Sequence, residues 1–227
     1  MLDTTALENL LGKPDHHIYT GAPIGRPTSR MGFDYWMAGN GIFIHGENRF
    51  IRAIFKIADC EIRGLPDIAQ EIRPKHSKIP ISLLESAADD MRDFDREVMY
   101  NLVLSDKSLT FRRIPQSGTA SNVDYNSDDY GSALADLHSH CALPAFFSHT
   151  DDSDEQGFRW YMVIGDVWKP RPTFAIRVGV HGYHCGVSIT TLFDSVGKFD
   201  EGLTFSNKLP PVKVNLADSL GANRHVI

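Results

Sequence analysis

The sequence predicts an α+β fold in which a small antiparallel β module precedes a larger unit of strands and short helices. Three observations carry this. Between residues 32 and 57, short β-branched and aromatic runs alternate with Gly- and Asn-rich turns. A single amphipathic helical stretch follows over residues 80–91. Beyond it, apolar runs of strand length recur between polar turns until about residue 192.

Residues 1–30 show no sustained period and hold Pro14, Pro23 and Pro27, so a short helix over 5–11 followed by loop is expected, with His16 and His17 exposed on that loop. From Gly32 the runs Tyr35-Trp36-Met37-Ala38, Ile42-Phe43-Ile44 and 50–57 are divided by Gly39-Asn40-Gly41 and Gly46-Glu47-Asn48. Gly and Asn tolerate the positive φ that tight hairpin turns demand, so these runs read as paired strands. The aromatics Phe33, Tyr35, Trp36, Phe43, Phe50 and Phe55 are expected chiefly in the core of this module. Residues 65–78, with Pro66, Pro74 and mixed charges, read as a connector. In 80–91, Leu83, Leu84, Ala87, Ala88 and Met91 recur at helical spacing behind Pro80, which suits a first turn.

Residues 97–104 and 109–114 read as strands around a tight turn at Ser105-Asp106-Lys107, and 117–129 as a polar surface loop. A strand or short connection covers 134–140, and a short helix begins near Ser148. Strands are expected at 160–167, 173–180 and 187–192, and an extended tail after Phe205. The expected division is therefore an N-terminal β-rich module (1–77), a second domain (78–205) and a tail (206–227).

With 227 residues and a formal charge of -6, the chain has ample core material and no basic footprint for nucleic acid. No segment approaches the ~20 apolar residues that span a bilayer, and the N-terminus lacks the basic start and apolar run of a secretory signal. Cys60, Cys141 and Cys185 are odd in number and far apart, which argues against a disulfide framework and for a reducing compartment. A cytoplasmic location is expected.

Chemistry concentrates in His138-Ser139-His140, followed after seven residues by Ser148 and after two more by Asp151. On a strand, alternation puts both imidazoles on one face and Ser139 on the other. Two imidazoles and a carboxylate are a three-ligand set for catalytic zinc, which leaves one position for water or substrate. Such a centre needs a general base off the metal, and Glu97, at the start of an apolar strand, is the candidate. Ser148 is the candidate donor to an oxyanion.

These residues resemble the JAMM (MPN+/JAB) metalloprotease family, whose pattern is a strand-borne Glu, then H-[ST]-H, seven residues and S-x-x-D. The resemblance covers roughly residues 79–205. It implies a curved mixed β-sheet flanked by helices, similar to the cytidine deaminase-like architecture. It also implies zinc on His138, His140 and Asp151, acid/base work by Glu97, oxyanion support by Ser148, and cleavage of peptide or isopeptide bonds, often at the C-terminus of a ubiquitin-like protein. Cys141 stands where the family commonly has Pro, and Ser105-Asp106-Lys107 replaces a glycine-rich run, which suggests a divergent bacterial branch. In layout, the N-terminal module is similar to the JAB-type proteins of PRTRC systems, encoded beside a ThiF-like activating-enzyme homologue and a ParB-related protein.

Plainer readings compete at several positions. S-x-x-D before a short helix is also a capping box, and a carboxylate bound to metal would have little left for the backbone. Glu85 and Glu155 are alternative bases, ranked lower because Glu85 sits mid-helix and Glu155 one turn past Asp151. Asp152 and Asp154 read as solvated helix-start charges, Cys141 as a small packing residue, and the His181 to Cys185 group as turn plus strand. Outside hydrolysis, a non-catalytic scaffold is the main rival. Zinc deamination lacks its H-x-E and P-C-x-x-C signature here.

Overall fold

The computed structural model describes residues 12–105, 108–114, 116–119, 122–125 and 133–201. Five strands form the N-terminal sheet in chain order: β1 (Asp15–Ile18), β2 (Phe33–Ala38), β3 (Gly41–Glu47), β4 (Ile51–Ala58) and β5 (Glu71–Pro74). β1 runs parallel to β2, and the other pairs are antiparallel. Two of these strands correct the sequence reading. His16 and His17 lie on β1 rather than on a loop, stacked on Tyr35 and Trp36 at 5.5 and 4.5 Å. β5 falls within the expected connector, paired with β4 and tied to it by an Arg52–Glu71 ion pair at 3.1 Å. Both are short and polar, and are held by cross-strand contacts that no apolar pattern announces. The helix expected at 5–11 and the tail after 205 lie outside the described residues.

Alternation gives this sheet two unlike faces. Phe33, Ile44, Ile51, Ala53 and Phe55 point into the main core. The opposite face carries Asp34, His45 and Arg52, with a small apolar cluster of Ala38, Phe43, Ile54 and Ile68.

Helix α1 (Ile81–Met91) buries Leu84, Ala87, Ala88 and Met91, a stripe of one helical face. Its N-cap, Pro80, offers no side-chain acceptor; Asp194 Oδ1 accepts from the Ile81 N–H at 2.9 Å instead. Next come β6 (Met99–Ser105), β7 (Ser108–Arg113), a hairpin of β8 (Gln116–Thr119) and β9 (Asn122–Tyr125), β10 (Ala135–Ser139), helix α2 (His149–Asp154), β11 (Arg159–Gly165), β12 (Thr173–Val180), β13 (Tyr183–Gly186) and β14 (Asp200–Glu201). The β8–β9 hairpin replaces the expected polar loop. The strand expected at 187–192 is instead a 3-10 turn, Ile189–Thr191, because the Ser188 hydroxyl accepts from the Thr190 N–H and turns the chain.

The second sheet has the order β13-β12-β11-β10-β6-β7, with β14 beside β12. It is mixed: β10–β11 and β12–β14 are parallel, and the remaining pairs antiparallel. One face, with Leu102, Ala135, Leu137, Trp160, Met162 and Ile176, joins α1 and the inner face of the first sheet in a single apolar core. On the other face a polar row crosses the strands in register: Asn101 opposite Asp136, Asp136 opposite Tyr161, Tyr161 opposite Arg177. Among the described residues no helix is long and apolar enough to cross a membrane.

Candidate metal centre

His138 lies on β10, and His140 follows the strand's last residue. Ser139 points the other way, where its Oγ accepts from the Val98 N–H at 3.0 Å. The two imidazoles converge, with Nε2 atoms 3.2 Å apart, and His138 Nε2 lies 3.6 Å from Asp151 Oδ1. Ligand atoms of His138, His140 and Asp151 all fall within 4.8 Å of one another. Tetrahedral zinc with bonds of 2.0–2.2 Å places its ligand atoms about 3.3 Å apart, so these three fit that ion. The donor chemistry fits too. Burial pushes His138 down to about 4, against the opposing charge of Asp151, and pushes His140 down as well. Neutral imidazole is the form that binds metal.

The two oxygens of Asp151 face different partners. Oδ2 accepts from the Ser148 N–H at 2.6 Å and from the Ser148 hydroxyl at 2.7 Å, while Ser148 Oγ accepts from the Asp151 N–H at 3.2 Å. This is a complete capping box. Oδ1 remains turned toward His138. A carboxylate has two oxygens and the cap uses one, so the capping box leaves Oδ1 for a metal.

Glu97, His138, His140, Ser148 and Asp151 all line one cleft of about 480 Å³. Burial, reinforced by the nearby charge of Asp151, pushes the Glu97 carboxyl up to about 7. The two alternative bases sit differently. Glu85 Oε1 accepts from the Lys198 N–H at 3.0 Å, on α1. Glu155 lines the cleft, but its carboxylate is held by Arg177 Nε at 2.7 Å. The Ser148 hydroxyl, expected to face an oxyanion, here donates to Asp151.

Arg177 is the site residue that the sequence reading missed. From β12 it reaches Asp152 (2.5 Å) and Glu155 (2.5 Å) and lies 3.9 Å over the Phe147 ring. His184 Nε2 adds a contact to the Glu155 carbonyl at 3.0 Å. Together they fasten α2, a six-residue helix with no buried residue of its own, and so fix Asp151. Asp152 is thus an exposed helix-start charge, as expected, that also anchors the helix through Arg177. A charged residue inside the apolar run T-F-A-I-R-V-G-V was the available signal. Asp136, inside β10, carries the same signal and pairs with Arg159 at 3.2 Å in the same cleft.

Cys141 departs from the family pattern for a backbone reason. Its φ is 48°, a left-handed conformation closed to proline, whose ring holds φ near −65°.

Residues 72–178 match the family described as prokaryotic homologs of the JAB domain. This stretch is a prokaryotic JAB domain. It begins in β5 and ends in β12, so it contains every residue of the candidate centre. No curated protein matches the chain significantly. Among solved structures, the solution structure of protein DSY2949 from Desulfitobacterium hafniense is similar at 16% identity, over 55% of this chain and 92% of that one, with a TM-score of 0.37. Among the described residues, the JAB segment holds one of two three-donor groups able to hold a metal; the other, Asp15, His17 and Asp34, belongs to the N-terminal sheet.

Proposed function

We propose that this chain is a zinc-dependent peptidase or isopeptidase. The observation that carries the reading is the convergence of His138, His140 and Asp151 within 4.8 Å in the cleft that also holds Glu97. When bound by these three residues, zinc supplies Lewis acidity that acidifies water and polarises a carbonyl. Glu97 takes the proton from the attacking water, holds it in its partly buried carboxyl, and returns it to the leaving nitrogen. Ser148 serves first as the cap that orients Asp151. To donate to an oxyanion, its hydroxyl must turn away from Asp151 Oδ2. Leu143 and Phe146, both more than 40% exposed, give the cleft an apolar wall for the substrate chain.

The substrate in this reading is an extended C-terminal segment, such as that of a ubiquitin-like protein, paired along a strand edge. A ThiF-like activating-enzyme homologue is the proposed partner, the cytoplasm the proposed compartment, and cytidine deaminase-like curvature the proposed finer class of the fold. The test combines metal analysis with hydrolysis of ubiquitin-like fusions. Wild type is expected to hold one zinc and cleave, while Glu97→Gln keeps the zinc and loses at least about 100-fold in kcat. A Glu97→Gln variant with full activity removes Glu97 from the mechanism. A wild-type chain that takes up no zinc favours the scaffold.

A further inference from the structure

Seven residues separate His140 from Ser148, and this strap must carry the chain from the end of β10 to the N-cap of α2. Four of its hydrogen bonds place its backbone. The Leu143 N–H donates to the His140 carbonyl at 2.8 Å, the Val167 N–H to the Cys141 carbonyl at 2.9 Å, and the Asp166 N–H to the Leu143 carbonyl at 2.8 Å. The fourth runs from the Ala145 N–H to Thr173 Oγ1 at 2.7 Å. Three of these join backbone to backbone, and the fourth depends on a side chain.

The strap lies directly on the last residue of β11. A Cβ at Gly165 would stand 2.1 Å from Ala145 N and 2.4 Å from the Leu143 carbonyl oxygen, so only glycine lets the two backbones meet. Thr173 sits on β12, next to this junction. Its hydroxyl is directed by Asp166 Oδ2 at 3.4 Å, which leaves an oxygen lone pair for Ala145. Asp166 is itself buried and has a left-handed φ of 53°. Phe146, the residue after Ala145, packs edge-on against the His140 ring at 4.5 Å.

We propose that Thr173 is a positioning residue of the metal centre: through Ala145 it fixes the strap, and thereby the placement of His140 relative to Asp151. This rests on the reading of His138, His140 and Asp151 as metal ligands. Groups that orient ligands without touching the metal typically change metal affinity 10- to 100-fold when removed. Thr173→Val keeps the shape of the side chain and leaves the Ala145 N–H without its acceptor, whereas Thr173→Ser keeps the hydroxyl.

The test is zinc affinity by chelator competition on the full chain, with the cobalt(II) absorption spectrum as a report of ligand geometry. Thr173→Val is expected to weaken zinc about tenfold or more and to alter the cobalt bands. Thr173→Ser is expected to restore both. Equal affinity and identical spectra in wild type and Thr173→Val overturn the proposal, as does a Thr173→Ser variant as impaired as Thr173→Val. If wild type takes up no metal, the functional reading fails, and the strap is judged in metal-free protein by the NOE between the Phe146 and His140 rings. Its loss in Thr173→Val alone supports the positioning role; its presence in all three proteins overturns it.

Discussion

The JAB segment and the N-terminal sheet each gather two acceptor types, imidazole and carboxylate, into a trio of the same reach, yet the two trios differ in what already occupies their lone pairs. In the second, Asp34 is 1% exposed, its Oδ1 accepts from the Ser29 N–H at 3.0 Å, and its Oδ2 accepts from the Thr28 N–H at 2.7 Å and meets His17 at 3.0 Å. Asp15 accepts from the Thr28 hydroxyl at 2.6 Å. Burial alone raises the carboxyl of Asp34, but these backbone donors and His17 outweigh it and hold the group below its ordinary range. The protein itself supplies the positive partners. In the first trio, Asp151 keeps one oxygen turned toward the imidazoles, and the imidazoles face each other. Both trios bring donor atoms equally close, and they differ in how many lone pairs are left unspent.

The largest expected effect separates the trios directly. Asp151→Ala or His138→Ala should abolish zinc uptake, whereas His17→Ala should leave one zinc per chain, as measured by elemental analysis. Two zincs in wild type, falling to one in His17→Ala, would erase the contrast.

Next in size is the acid response of the second trio's neighbourhood. His45 lies opposite Asp34 in the ladder, fully buried, and among the described residues neither ring nitrogen has a hydrogen-bond partner. Burial first, then the charge of Arg52, pushes it down to about 4. A folded value below the unfolded one means that the native state resists protonation. Its contribution is therefore complete above pH 6.5 and declines as pH falls toward 4, by up to about 3 kcal/mol. Urea titrations across that window should show the decline, and His45→Gln should flatten it. An unchanged slope in the variant would assign the acid sensitivity elsewhere.

A smaller effect is expected at Asp34 itself. Asp34→Ala strips the acceptor from two backbone N–H groups and should cost about 1–3 kcal/mol of stability without altering zinc content. Loss of zinc in that variant would mean that the trios are coupled. Smallest is the effect at Cys141, where Cys141→Gly relieves the left-handed strain and should raise stability by at most about 1 kcal/mol. Cys141→Pro should disrupt the strap even though proline is the residue expected from the family pattern. Thermal unfolding of the two variants decides this.

The first trio was legible in the sequence because its spacing is local. Alternation on one strand aligns His138 with His140, and a helix N-terminus within a short strap places Asp151. Glu97 was legible for a related reason, since it lies just before the strand next to β10, although that strand begins at Met99 rather than at Glu97 as expected. β1 and β5 were not, because their residues are largely polar and their pairing depends on partners 17 to 23 positions away, such as Asp34 for Asp15 and Ile54 for Glu71. Arg177 escaped because its partners, Asp152 on α2 and Glu155 at its C-terminal cap, belong to a segment that reads as solvated until the sheet is drawn beneath it. The strand expected at 187–192 failed on one side chain: V-S-I-T-T-L alternates well enough, but the Ser188 hydroxyl closes a turn.

The apolar core shared by the two sheets has a consequence for how this JAB domain can be inherited or excised. Phe33, Ile44 and Phe55 pack into the same cluster as Leu84, Leu102 and Trp160, so residues 72–178 taken alone would turn a wide greasy surface to water. The N-terminal strands thus act as a built-in subunit. A relative without them must cover that surface with other chain or with another molecule.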